Sequence, residues 1–168
     1  MFLQGLWQAL EASGVGVFVA ESTWAFPTLE SIHVVAIVTV IGSIMVMDLR
    51  LLGVASKATP VTLMSKETLR WTWGAFVLAM ITGSLLFIGK ATFYAVNPFF
   101  QWKLVMIAVA GINMLVFHFI TWRSINHWDT HPYMPMGAKI AGGTSLALWV
   151  IVVFLGRAIG FTLDKYAQ

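Results

Sequence analysis

The chain has 168 residues, of which 59% are hydrophobic and 10% charged, with a net charge of +3, no cysteine and a mean hydropathy of +0.84. So little polar surface cannot cover a soluble globule of this size, and the chain belongs in a membrane. The missing cysteines exclude disulfides, zinc–thiolate sites and thiol redox chemistry; the positive charges are scattered at loop ends without interleaved aromatics, which excludes nucleic acid as a partner.

Runs free of Asp, Glu, Lys and Arg cover 31–47, 71–89, 104–122 and 140–156, each near the ~20 apolar residues that cross a hydrocarbon core of about 30 Å. None alternates apolar and polar residues with period 2, so the spans are helices rather than barrel strands. The expected fold is all-α: a single-domain integral membrane four-helix bundle preceded by an interfacial amphipathic helix.

That interfacial segment covers residues 2–26, lacks the basic start of a signal peptide and reads as retained. Leu3, Leu6, Trp7 and Leu10 form one apolar stripe, with Gln4, Gln8 and Glu11 turned outward. The first span is expected over 29–50, with Trp24 and Phe26 at headgroup level and Pro27 as the first helical position. Pro60 breaks the chain, and Ser65 to Arg70 read as a loop or a short surface helix before a second span over 69–91, belted by Trp71 and Trp73. Asn97-Pro98 is a helix start signal for a third span over 98–124. A loop with two prolines leads to the fourth span, 137–161. Small residues four apart, as in Ala79/Gly83, Ala138/Gly142 and Gly156/Gly160, allow close helix approach within the bundle or at a homo-oligomer seam.

With four spans, Arg50, Lys57, Lys66, Arg70, Arg123 and Lys139 share one side, and Lys90, Lys103, Arg157 and Lys165 the other, together with both termini. The positive-inside rule then puts both termini in the periplasm, for a protein of the bacterial inner membrane.

Two histidines, His33 and His118, fall inside apolar spans, where an ionisable group is costly and is a functional candidate by default. A neutral imidazole bonded between helices competes with haem ligation and with proton transfer. Haem b is the favoured ligand, because a four-helix bundle holds a flat porphyrin between helices with axial histidines. Counted from the span centres, His33 lies ~9 Å above the midplane and His118 ~7 Å below it. Their Cα atoms are then ~16 Å apart along the normal, plus ~8–10 Å between axes, too far to share one iron. Two haem sites are expected, one per leaflet, with Met106 as a thioether partner for His33 and Met45 or Met47 for His118. Lys103, Arg157 and Lys90 at one end, and Arg50 and Arg123 at the other, are candidates to pair with haem propionates, against the alternative of snorkelling to headgroups. Glu30 stands one turn before His33, placed to orient its ring or to pair with Lys103 or Arg157. His127 and His131 form a weaker alternative site for copper or zinc if the helix continues that far, which Pro132 disfavours. No phosphate cradle, nucleophile triad or HExxH motif is present.

The string Phe26-Pro27-Thr28-Leu29-Glu30-Ser31-Ile32-His33, with Gly42-Ser43, Asp48 to Gly53, Asn97 to Lys103, Gly111-Ile112-Asn113, Phe117-His118 and Gly156-Arg157, resembles a bacterial four-helix inner-membrane family designated only as a domain of unknown function. The resemblance implies fold and membrane location over nearly the whole chain. A looser similarity is to four-helix membrane cytochromes b, which ligate haem through transmembrane histidines and exchange electrons with quinone; this chain departs from them in having just two such histidines. The expected function is a b-type haem membrane protein moving electrons across or within the membrane, with a quinone or periplasmic redox partner. The alternatives are a proton- or ion-coupled transporter or channel subunit using Glu30, His33, Lys103 and Arg157, and a structural subunit of a membrane complex.

Overall fold

The computed structural model describes residues 2–162, and among them the chain is helical with no strand; Lys165 and the side chain of Leu3 lie outside the described part. Seven helices follow in order: α1 (Phe2–Glu11), α2 (Gly14–Glu21), α3 (Ala25–Leu51), α4 (Val61–Gly89), α5 (Ala91–Val96), α6 (Pro98–Val116) and α7 (Met136–Phe161). Past Val116, α6 continues through a π-helical turn, Phe117–Thr121, and a 3₁₀ segment, Trp122–His127. Among the described residues four helices are long and apolar enough to cross a membrane: α3, α4, α6 with its extension, and α7. The chain is an integral membrane four-helix protein.

Local chemistry sets several of the ends. Asn97 caps α6, its side-chain oxygen accepting from the amides of Phe99 at 2.9 Å and Phe100 at 3.4 Å, with Pro98 in the first turn, where its missing N–H costs nothing. The first span closes on Gly53 at φ +73, whose amide donates to the Arg50 carbonyl at 3.0 Å while Val54 reaches the Leu49 carbonyl at 3.0 Å. This is the paired hydrogen bonding of a left-handed glycine stop.

Two ends differ from the sequence expectation. The second transmembrane helix begins at Val61, where Ser65 to Arg70 had suggested a loop or short surface helix. Its N-terminus is capped from far away in sequence: Asp129 accepts from the Thr62 amide at 2.8 Å and the Thr62 hydroxyl at 2.7 Å, and its own carbonyl accepts from the Val61 amide at 3.1 Å. The N-terminal segment is two helices, not one, because Ser13 starts α2 by accepting from the Gly16 amide at 3.1 Å. Glu11, expected to face outward, turns in and accepts from the Thr92 amide at 2.9 Å and hydroxyl at 2.8 Å. With Trp7 edge-on to Phe87 at 5.6 Å, this clasps α1 to the α4–α5 corner.

The spans pack in the order α4–α3–α7–α6, each against its neighbour in that row. Glycine allows the closest of these approaches: a Cβ on Gly142 of α7 would stand 3.0 Å from the Asp48 carbonyl oxygen and 3.1 Å from Leu51 Cβ on α3. The outer two helices, α4 and α6, do not pack along their length. They meet near the end that carries the termini, where Phe87 stacks on Phe100 at 5.4 Å with Tyr94 beside both.

At the opposite end Leu51, Val61, Phe117, Ile125, Trp128, Met134, Ala138 and Ala141 form an apolar cluster around Arg50, which has no exposed surface. The guanidinium donates to the carbonyls of Thr59 at 2.9 Å, His131 at 3.2 Å and Asp129 at 3.4 Å, and lies 3.3 Å from the Met134 sulfur. It ties the 52–60 and 128–135 connections to the end of α3.

Asp129→Ala removes the cap of α4 while leaving Arg50 its carbonyl partners. It should lower stability by about 1 kcal/mol and raise hydrogen exchange first at the amides of Val61 and Thr62, measured on the detergent-solubilised protein.

Candidate functional site

His33 and His118 occupy separate places in the bundle, as the depth count expected. His118 shares a cavity with Asp48, and His33 stands 15 residues before Asp48 on the same helix, ~22 Å along its axis.

His33 is half-buried on α3, and its Nδ1 lies 2.9 Å from the Thr82 hydroxyl on α4. The Thr82 hydroxyl proton is already given to the Leu78 carbonyl at 2.8 Å. With that bond kept, Thr82 accepts from His33, Nδ1 carries the ring proton and Nε2 keeps its lone pair. The ring lies against Gly83, where a Cβ would come within 2.9 Å of Cε1. Lys103 of α6 is half-buried and close enough for its charge to act on His33. Its ammonium rests on α7 at Gly156, 3.4 Å from where a Cβ would stand. Four helices thus each contribute one part of a cluster: an imidazole, the hydroxyl that orients it, a cation, and a glycine notch.

The other residues expected near His33 stand further out. Glu30 is exposed, and the ring is oriented by Thr82 rather than by this carboxylate. The charge of Glu30 is felt instead by Tyr94 on α5, whose phenol is raised above its usual range by burial and, second, by Glu30. Arg157 is exposed, with its guanidinium over the Phe161 ring at 4.9 Å, and Lys90 lies over Phe26 at 4.8 Å.

His118 sits within the π-helical turn, a local distortion common at functional sites. Its Nδ1 is 2.9 Å from the Met114 carbonyl. A carbonyl only accepts, so here too Nδ1 bears the proton and Nε2 the lone pair. The ring stacks on Trp122 at 5.5 Å and meets Phe117 edge-on at 5.5 Å.

Beside His118 a cavity of about 220 Å³ runs between the four spans. It reaches from Val40 to Leu51 on α3, Ser65 to Phe76 on α4 and Ile107 to His118 on α6, a slot ~16 Å long. It is half open, and the gap between α4 and α6 is the direction in which no helix closes it. Met47, one of the two thioethers expected opposite His118, lines the slot, whereas Met45 faces a separate shallow groove with Trp149 and Phe154.

Sequence reasoning missed two functional candidates. Thr82 looked like one more small residue in an apolar run. Asp48 looked like the polar end of the first span, yet it is 5% exposed, lines the slot, and its Oδ2 is the buried side-chain oxygen without a hydrogen-bond partner among the described residues. The signal was a carboxylate three residues short of the helix end, two positions from an arginine that it does not pair with.

One expected role changes, and the His127–His131 site stays disfavoured. Arg50 is committed to loop carbonyls and offers no surface to a propionate. His127 and His131 are both exposed, and the helix stops at His127, so the two rings do not share a helical face. Among the described residues no group of three or more His, Cys, Asp or Glu side chains is placed to hold a metal ion.

Fold and site define a polytopic membrane protein with a histidine–lysine cluster near one end and a laterally open slot near the other. The model of DUF6644, a family of unknown function, matches residues 10–162, and the chain belongs to that family. No curated protein and no solved structure matches the chain.

The contact of His33 with Gly83 is testable by a double-mutant cycle. Gly83→Ala should destabilise the protein by about 1–3 kcal/mol through overpacking against the imidazole. Adding His33→Ala should recover much of that loss, as thermal unfolding in detergent would show.

Proposed function

We propose that the protein binds b-type haem at His33 and passes electrons within the bacterial inner membrane, with both termini in the periplasm. The observation that carries this reading is the cluster itself. His33 is held by Thr82 in the tautomer that leaves Nε2 free, and Lys103 is brought to the same level from the opposite side of the row. A fixed Nδ1–H is the arrangement that orients a ligating imidazole and raises its basicity. A lysine ammonium inside a span suits a propionate, and Gly83 and Gly156 seat the His33 ring and the Lys103 ammonium themselves, fixing both groups on the helices. Bound there, haem supplies one-electron chemistry; the chain's own part is to hold the ring nitrogen, neutralise carboxylate charge and exclude water.

Support is unequal at the two histidines. His118 has the right tautomer, but the nearest buried cation, Arg50, is spent on the loops, and Arg123 is exposed. The reading therefore assigns one haem, at His33, and leaves the slot beside His118 for the partner that exchanges electrons with it. A transporter would need a continuous polar path, whereas Ala36 and Val40, each 2% exposed, fill α3 between the cluster and the slot.

The test is the visible spectrum of protein purified after expression with adequate haem, with a pyridine haemochrome assay for stoichiometry. One haem per chain is expected, lost in His33→Ala and retained in His118→Ala. Haem halved in each variant would establish two sites, and a colourless wild-type protein would refute the reading.

A further inference from the structure

Asp48 is the least accounted-for group in the molecule. Its carboxyl lies within the first span, 5% exposed, with the Ser145 hydroxyl of α7 beside it and with Oδ2 lacking a hydrogen-bond partner among the described residues. An unpaired polar group at such depth is expensive unless something fills the site and satisfies it. Apart from Ser145, the surrounding hydroxyls do not reach Oδ2: Thr68 and Thr72 give their protons to carbonyls of their own helix, and Ser43 has its single proton for Thr72 at 2.7 Å or the Val40 carbonyl at 2.9 Å. The Asn113 amide nitrogen donates to the Ala141 carbonyl at 3.0 Å.

The slot thus offers one vacant strong acceptor at the inner end of a long, mainly apolar space with aromatic walls, among them Trp73, Phe76, Phe117 and Trp149. A bare cation wants a compact cage of about six oxygens, and the oxygens here are already engaged and strung along helices. The shape and the single acceptor fit a flat molecule with one hydroxyl donor at its head and an apolar remainder. The opening between α4 and α6 faces the bilayer, so the molecule enters from the lipid.

We propose that this slot binds a lipid-soluble hydroxy-aromatic of the hydroquinone class, with the free carboxyl oxygen of Asp48 accepting the hydrogen bond of its ring hydroxyl. The proposal rests on the slot and on Asp48, and it stands whether or not haem occupies the cluster at His33, whose level is seven residues, ~10 Å, beyond the slot's end at Val40.

The probe is a hydroquinone with a ten-carbon tail, titrated into protein in lipid nanodiscs and read by quenching of tryptophan fluorescence, since Trp73 and Trp149 line the slot. Its dimethyl ether, which has no hydroxyl to donate, is the control. Wild-type protein should bind the hydroquinone at least tenfold more tightly than the ether. Asp48→Leu should erase that preference while remaining folded and close to wild type in heat stability, because it removes a buried carboxyl oxygen that has no partner among the described residues. Equal binding of the two compounds by wild type, or an unchanged preference in folded Asp48→Leu, overturns the proposal. Competition by sodium ions that vanishes in Asp48→Leu would also overturn it, in favour of a cation site. A colourless protein that still prefers the hydroquinone would refute the haem reading and leave this one intact.

Discussion

The Arg50 guanidinium has no exposed surface and spreads its donors over the carbonyls of Thr59, Asp129 and His131. A cation at this depth is tolerable only when its hydrogen-bonding capacity is used inside the protein. Meeting that demand folds two connections inward, and the rest follows from their position. The 128–135 stretch is drawn over the ends of α3 and α4, Asp129 reaches Thr62 to start α4, and Trp128 and Met134 are pressed into the apolar cluster below. The far ends of the spans are thereby set, and with them the level at which Asp48 enters the slot.

The same rule explains the quieter polar groups. Ser31, Thr39, Thr68, Thr72 and Thr82 each donate to the carbonyl four residues earlier, so these five hydroxyl protons are not left bare in lipid. The consequence is chemical as well as structural. A threonine whose proton is spent on its own helix can only accept from a neighbour, and this decides which nitrogen of His33 carries the hydrogen. The Met114 carbonyl decides it for His118. Against that background of satisfied groups, the orphan oxygen of Asp48 stands out as a vacancy.

Glycine placement shapes the bundle around these side chains. Gly142 lets α7 close on α3 beside Asp48, Gly83 seats the His33 ring, and Gly156 lies under Lys103. The spacing of small residues was visible in the sequence as a packing device, and the structure divides its uses: one glycine brings helices together, and two make room for functional side chains. With α3 and α7 drawn together at the centre of the row, α4 and α6 are left apart, and their separation is the mouth of the slot.

The sequence alone determined the number of spans, their helical character, the cap at Asn97-Pro98 and the wide separation of His33 from His118. These are properties of single helices in lipid, where length, local turn chemistry and a rise of ~1.5 Å per residue are sufficient. Tertiary structure decided whatever depends on a partner distant in the chain. Asp129 caps a helix that begins 68 residues before it, Thr82 orients His33, the loop carbonyls claim Arg50, and Asp48 is left facing a cavity that no single helix encodes. The reason is that a polar group in a membrane takes its role from whichever group satisfies it, and that partner is chosen by the packing of helices rather than by the local run of residues.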